Sequence, residues 1–233
     1  MTRCFAMRFD ALILVLGLLF SSSLALSESI MVSPQIIDFS AGKRVENITV
    51  INSGDKRTFV KITPYRLEDP ETPNEKRISE QNPQKLGLLV SPQHLIIPPR
   101  GEKTVRLIRL TKSSGEELPF LVSVTPVLGN VSAKNTNAIK IVIAYGVRIF
   151  LMPNQIKEKI VLEHHAEKLI VKNEGNVSAV LFSGKACVSE SSCESLPAFR
   201  LYPDKSRDFR LKANAKVVYK VDYPKENIVE LSA

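Results

Sequence analysis

Ile139-Lys-Ile-Val-Ile-Ala-Tyr-Gly-Val-Arg-Ile-Phe-Leu-Met152, closed by Pro153, is the stretch whose reading decides the fold. Ile139, Ile141, Ile143, Tyr145 and Val147 share one face of an extended chain. Lys140, Val142, Ala144 and Arg148 share the other. A period of two predicts a β-strand. Fourteen residues at ~3.3 Å each reach about 45 Å, several times an ordinary strand. Arg148 interrupts an otherwise apolar run, and a buried arginine needs a partner. The plainest reading is a central sandwich strand with one snorkelling arginine.

The segments before this stretch have the same character. Ser29 to Phe39 is extended and broken by Pro34, which predicts an edge strand or one that changes sheets. Val45 to Asn52 and Thr58 to Leu67 alternate around the turn Ser53-Gly54-Asp55, as a hairpin does. Glu68 to Pro83 is rich in charge and proline and reads as a loop. Leu86 to Ser91, Lys103 to Leu110 and Leu118 to Val127 are further strands, with Pro98-Pro99-Arg100-Gly101 a strong turn signal. Past Pro153 the pattern restarts with shorter strands at 159–162, 167–172, 179–187, 207–211 and 216–222. No amphipathic helix of useful length stands among them. Short strands at regular spacing predict an all-β chain of β-sandwiches, and the break at Pro153 predicts two in tandem.

Composition narrows the function. The first 25 residues read as a secretory signal peptide: Arg3 and Arg8, then an apolar run from Ala11 to Phe20, then Ser23 and Ala25 placed for cleavage. That run is too short to span a bilayer. The net charge of the full chain is +8, falling to +7 without residues 1–25. The positive charge is spread out, without a basic block interleaved with aromatics, so nucleic acid is not an expected partner. Cys4 falls in the signal. Cys187 and Cys193 remain, and in an oxidising compartment they read as a disulfide across a hairpin, worth about 2 kcal/mol for so short a loop.

Enzyme chemistry finds little support. The histidines are His94, His164 and His165, and adjacent residues of a strand point to opposite faces, so His164 and His165 make a poor metal pair. G-x-S-x-G, P-loop and H-E-x-x-H patterns are absent from the sequence. No catalytic activity, small-molecule substrate, metal or cofactor is expected.

Several segments, in order, resemble the periplasmic chaperones of chaperone–usher pilus assembly. Val45-Glu-Asn-Ile-Thr-Val-Ile-Asn-Ser-Gly54 is similar to that family's second strand and turn. Leu89 to Leu107, with its Pro98-Pro99-Arg100-Gly101 turn and Val105-Arg106-Leu107, is similar to its strand–P-x-G–strand segment. Ala144-Tyr-Gly-Val-Arg-Ile-Phe-Leu-Met-Pro153 resembles its G1 strand and closing proline. Val171-Lys-Asn-Glu-Gly-Asn-Val177, the Cys187–Cys193 hairpin and Leu201-Tyr-Pro-Asp-Lys-Ser206 look most like the alternate branch, which serves colonisation-factor and common-pilus systems.

The resemblance implies two immunoglobulin-like sandwiches in an L or boomerang arrangement. The N-terminal domain (26–152) would bind pilus subunits and be followed by a C-terminal domain (153–233). It implies donor-strand complementation: Ile139, Ile141 and Ile143, with Tyr145 and Val147 continuing the face, fill the groove of an incomplete subunit, while Val142 and Ala144 pack the chaperone's own sandwich. Arg148 would hold the subunit's terminal carboxylate. The implied partners are pilus subunits and an outer-membrane usher, the implied place is the periplasm, and the free form is a candidate for self-association through its donor strand.

Two departures stand out. Many members carry a second basic anchor on the first strand, where this chain has Ile36; Arg106 and Arg109 are the candidates to replace it. Members often carry an arginine before the closing proline that bridges the domains, where this chain has Met152. Arg148 also has the opposite parity to the donor residues, so a twist or a bulge at Gly146 is expected to bring it to the cleft. The rival readings are a secreted two-domain immunoglobulin-like structural or adhesive pilus protein and, further off, a secreted β-enzyme.

Overall fold

The structure is a computed structural model that describes residues 30–112, 114–127, 143–224 and 228–233. The first part of the chain forms β1 (Ile30–Ser33), β2 (Ile36–Phe39), β3 (Val45–Asn52), β4 (Thr58–Glu68), β5 (Lys76–Ile78), a one-turn helix α1 (Pro83–Leu86), β6 (Leu88–Ser91), β7 (His94–Ile97), β8 (Glu102–Arg109), β9 (Leu118–Val127) and β10 (Tyr145–Leu151). The second part forms β11 (Ile160–His165), β12 (Lys168–Asn173), β13 (Ala179–Ser189), β14 (Ser192–Ser195), β15 (Phe199–Leu201), β16 (Ser206–Arg210), β17 (Lys216–Asp222) and β18 (Ile228–Ser232). Among the described residues these make four sheets. The order β1-β3-β8-β6 faces β2-β10-β9-β4-β5, with β7 also on β4; β11-β12-β16 faces β14-β13-β17-β18, with β15 also on β13. The fold is all-β, as the periodicity predicts.

Pro34 explains how the chain begins. β1 pairs with β3 in one sheet and β2 runs parallel to β10 in the other, so the chain changes sheets at Ser33-Pro34-Gln35. Proline lacks the N–H a ladder needs, which makes it a natural crossing point. In the strands that follow, alternate residues turn inward. Ile48, Val50, Val60, Ile62, Val105, Leu107, Phe120, Val122, Val124, Val147, Ile149 and Leu151 all lie in one buried core. Leu169, Val171, Leu181, Val217, Tyr219 and Val221 form a separate one in the second sandwich.

Each sandwich pins a turn with a buried asparagine. The Asn52 amide donates to the carbonyls of Lys56, Ile97 and Pro98, and its oxygen accepts from Gly54 N–H. Asn173 repeats the device, donating to Val177 and Leu201 and accepting from Gly175 N–H. Both are Asn-x-Gly sequences, and each side chain is nearly filled with partners, as a buried amide must be. A Cβ at Gly175 would stand 2.3 Å from the Lys157 carbonyl oxygen, so only glycine fits this turn.

The structure differs from the expected pattern at short elements. The stretch read as a loop at 68–83 contains β5, and α1 precedes β6, started by Asn82 and Pro83 and ended by Gly87 in the left-handed region. In the second sandwich β14, β15 and β18 are additional strands. β14 is exposed at all its residues, so it carries no alternation to read. The disulfide between Cys187 and Cys193 closes the β13–β14 hairpin, where the two are direct partners in the ladder.

Candidate functional site

β10 is held on both sides. It pairs antiparallel with β9 from Tyr145↔Val124 to Leu151↔Leu118 without a register shift, and parallel with β2 from Arg148↔Ile36 to Leu151↔Phe39. No bulge occurs at Gly146 within this ladder. Alternation is therefore strict. Val147, Ile149 and Leu151 enter the core of the first sandwich, and Tyr145 packs against it. Arg148 and Phe150 fall on the opposite, outer face of the sheet.

This corrects part of the expected donor face. Val147 is fully buried in its own sandwich and Tyr145 is committed beside it, because their parity is that of Ile149 and Leu151. Ala144, expected inside, is exposed. Ile143 is 64% exposed. Ile139, Ile141 and Val142 lie outside the described residues.

Arg148 sits in a cleft between the two sandwiches with 26% of its side chain exposed. Its Nη2 lies 3.7 Å from Glu75 Oε2, an ion-pair distance, and its Nη1 is buried without a hydrogen-bond partner. Glu75 also accepts from Arg77 Nε at 3.3 Å and from the Glu71 backbone N–H at 3.0 Å. These contacts hold its carboxyl below the usual range, the Glu71 N–H most strongly, with Arg77 and Arg148 adding to it against a smaller opposing effect of burial. The loop that carries Glu75 is tied to the second sandwich. Lys205 Nζ reaches Asp69 at 2.6 Å, and Tyr202 Oη donates to Glu71 at 3.2 Å. Burial, reinforced by Glu71, pushes the Tyr202 hydroxyl far above the usual tyrosine range, so it remains a donor.

A junction lies next to this cleft. Phe150, Met152, Val177 and Tyr202 form a small apolar cluster between the two cores. The Arg200 guanidinium stacks 4.6 Å over the Phe150 ring and donates to Ser178 Oγ at 2.9 Å. Ser178 in turn donates to Glu117 Oε2 from its backbone N–H at 2.9 Å and its hydroxyl at 3.0 Å. Glu117 is 5% exposed and burial pushes its pKa up, opposed by the Ser178 hydrogen bonds and by Arg200. With Met152 before the closing proline, the bridging guanidinium comes from Arg200 in the second sandwich.

Neither candidate for a second anchor faces Arg148. Arg106 is exposed on the outside of the other sheet, between Asn47 and Ser91. Arg109 is 7% exposed and donates to Thr111 O at 3.3 Å and Met152 O at 3.1 Å, so it ties the first sandwich to the segment leaving it. The register confirms that Ile36 is the direct neighbour of Arg148, and it is 54% exposed. The sequence reading passed over Glu75, Arg77, Glu117 and Arg200. Glu75 and Arg77 belong to a polar stretch whose composition speaks only of solvent. Glu117 stands outside any alternating run. Among the described residues no cluster of histidine, cysteine and carboxylate could hold a metal ion.

No family model matches the chain. It is similar to a CFA/I fimbrial protein of Escherichia coli, 25% identical over 201 residues that cover 81% of this chain and 83% of that protein. Among solved structures it is similar to the class 5 fimbriae chaperone CfaA, with a TM-score of 0.67 and 25% identity over 88% of this chain and 98% of that one. The SafB chaperone of Salmonella enterica, solved in complex with the SafA pilin, gives a TM-score of 0.63 at 13% identity, covering 89% and 96%. By its tandem sandwiches and by likeness along most of its length, the chain belongs to the fimbrial chaperones of the chaperone–usher pathway.

Proposed function

We propose that this chain is a periplasmic chaperone that captures pilus subunits on the strand ending at Met152, keeps them from polymerising early and hands them to an outer-membrane usher. It is not an enzyme. The observation that carries the reading is Arg148: a guanidinium in a cleft, with a buried nitrogen lacking an acceptor, on the strand whose preceding residue Ile143 opens to solvent. An unfilled subunit groove exposes apolar surface and strand edges that template aggregation, and an added strand covers both. Ile139, Ile141 and Ile143 are the donor side chains, each worth about 1.5–3 kcal/mol when buried. Arg148 anchors the subunit's terminal carboxylate, a charge-assisted contact of about 1.5–3 kcal/mol that also fixes register.

The parity conflict between Arg148 and the donor residues has a simple resolution. The described ladder starts at Tyr145, so pairing there does not hold Ile143 to the alternation that governs Arg148. Residues 1–25 act as the signal peptide, 26–152 as the subunit-binding domain and 153–233 as the second domain. The greater identity to the class 5 and CFA/I proteins than to chaperones such as SfaE and DraB supports the alternate branch. A pilus subunit, the rival reading, needs one incomplete sandwich with a donor extension, not two.

Co-expression with candidate subunits in a bacterial periplasm tests the proposal. The wild-type chain is expected to yield a soluble one-to-one complex, and Arg148→Ala and Ile141→Asp to lose it. Recovery of subunit by both variants at the wild-type level would exclude strand donation.

A further inference from the structure

We infer that Glu75 is a resident stand-in for the subunit's terminal carboxylate, and that Arg77 is the second cation of that site. The inference rests on the reading of Arg148 as the carboxylate anchor. Its basis is one carboxylate with a guanidinium at each oxygen: Arg77 Nε 3.3 Å from Oε1 and Arg148 Nη2 3.7 Å from Oε2. Two cations converging on one carboxylate is the arrangement an anchor for a chain terminus requires. Here the chain fills it from within.

The internal carboxylate fits poorly on one side. At 3.7 Å Arg148 makes an ion pair and not a hydrogen bond, since charge-assisted bonds of this kind close to about 2.7–2.9 Å. Its Nη1 remains buried and unengaged, which is costly for a charged donor. Glu75 cannot approach further without giving up the Glu71 N–H, because the same Oε2 serves both. A terminal carboxylate arriving along β10 is free of that tether and can offer both oxygens to the Arg148 fork.

The surroundings suit an exchange. Arg77 is fixed on β5 opposite Leu67 of β4, so it stays when Glu75 leaves. Asp69 and Glu71 hold the start of the loop to Lys205 and Tyr202, so the movement is confined to the few residues after Glu71. The pairing of two guanidiniums with one carboxylate is the same before and after. Neither arginine is left facing the other uncompensated in the free chain, which solves the problem of storing two like charges in a cleft without a ligand. It also gives a basic second anchor to a chain that carries Ile36 at the neighbouring strand position. Glu75 lowers affinity by competing, and it discriminates against any terminus that is not a carboxylate.

The test is a titration of the purified mature chain with a synthetic peptide of alternating valine and threonine ending in a free carboxylate, and with the same peptide as its C-terminal amide. Wild type is expected to prefer the free acid by about tenfold. Glu75→Gln keeps an acceptor for the Glu71 N–H and removes the charge; it is expected to bind the free acid about fivefold tighter with the amide unchanged. Arg77→Gln is expected to weaken the free acid by about the same factor, with Arg77→Lys intermediate. Arg148→Gln should abolish the preference. Melting curves on each variant separate misfolding from lost binding. If Arg148→Gln abolishes the preference but Glu75→Gln does not tighten binding, or Arg77→Gln does not weaken it, this inference is wrong and the anchor stands. If wild type shows no preference, or Arg148→Gln leaves it intact, the anchor reading fails and takes this inference with it.

Discussion

The junction around Glu117 and the cleft around Arg148 adjoin one strand pair, β9–β10, and handle charge in opposite ways. At the junction Glu117 receives two hydrogen bonds from Ser178, Arg200 both stacks and donates, and Arg109 donates twice to main-chain carbonyls. In the cleft Arg148 reaches Glu75 only at 3.7 Å and has a buried nitrogen without an acceptor. Buried charges are ordinarily matched from within, because an unmatched one costs far more than a matched one returns. The junction obeys that rule through its hydrogen bonds. The cleft falls short of it at the one residue placed to meet another chain.

The largest effect that bears on this contrast is at the junction. Phe150→Ala is expected to cost about 3–5 kcal/mol, measured by denaturant or thermal unfolding, because the ring is fully buried among Met152, Val177 and Tyr202 under Arg200. A loss under about 1 kcal/mol would mean the junction is not a packed core. Next comes Arg148→Ala. Its stability should change by no more than about 0.5 kcal/mol, while affinity for a captured subunit falls by roughly ten- to a hundredfold. The reverse pattern, a strong loss of stability with binding intact, would erase the distinction between the two regions.

A smaller effect is expected from pH. The folded pKa of Glu117 is raised above the ordinary 4.5, chiefly by burial with Asp38 adding, and lowered in part by Ser178 and Arg200. The folded state therefore holds this proton more tightly than the unfolded chain. The resulting stability is full below 4.5 and is lost as pH rises through the folded value. Glu117→Gln should flatten this part of the stability–pH curve, with unfolding measured at several pH values above 4.5. An unchanged curve would show that the carboxylate is not buried in solution. Smallest in stability is Ile143→Ala, within about 0.5 kcal/mol because the side chain is 64% exposed. Its effect should appear as weaker subunit capture, measured by co-purification.

The architecture could be read because strand periodicity is local. The alternation of 45–52, 58–67, 103–110 and 118–127 predicts strands within a residue or so of β3, β4, β8 and β9. Cys187 and Cys193 were legible because hairpin partners are close in sequence. β5, β14 and β18 were not: they are short or exposed, and their place depends on a neighbouring strand. Val147 shows the limit at the site itself. Its face follows from the alternation, but whether that face meets its own core or another chain depends on where the sandwich ends.

The sequence by itself determined that the chain is all-β in two parts, that one long strand carries an arginine, and that Ile36 stands where a second basic group is usual in the family it resembles. These follow from residue type and a period of two. Tertiary structure alone decided what surrounds that arginine. Glu75 and Arg77 come from a polar loop far away in sequence, Arg109 turns to Met152, and Arg200 supplies the junction's guanidinium from the second sandwich. Such pairings depend on strand register and on how two sandwiches meet, and no local pattern encodes them.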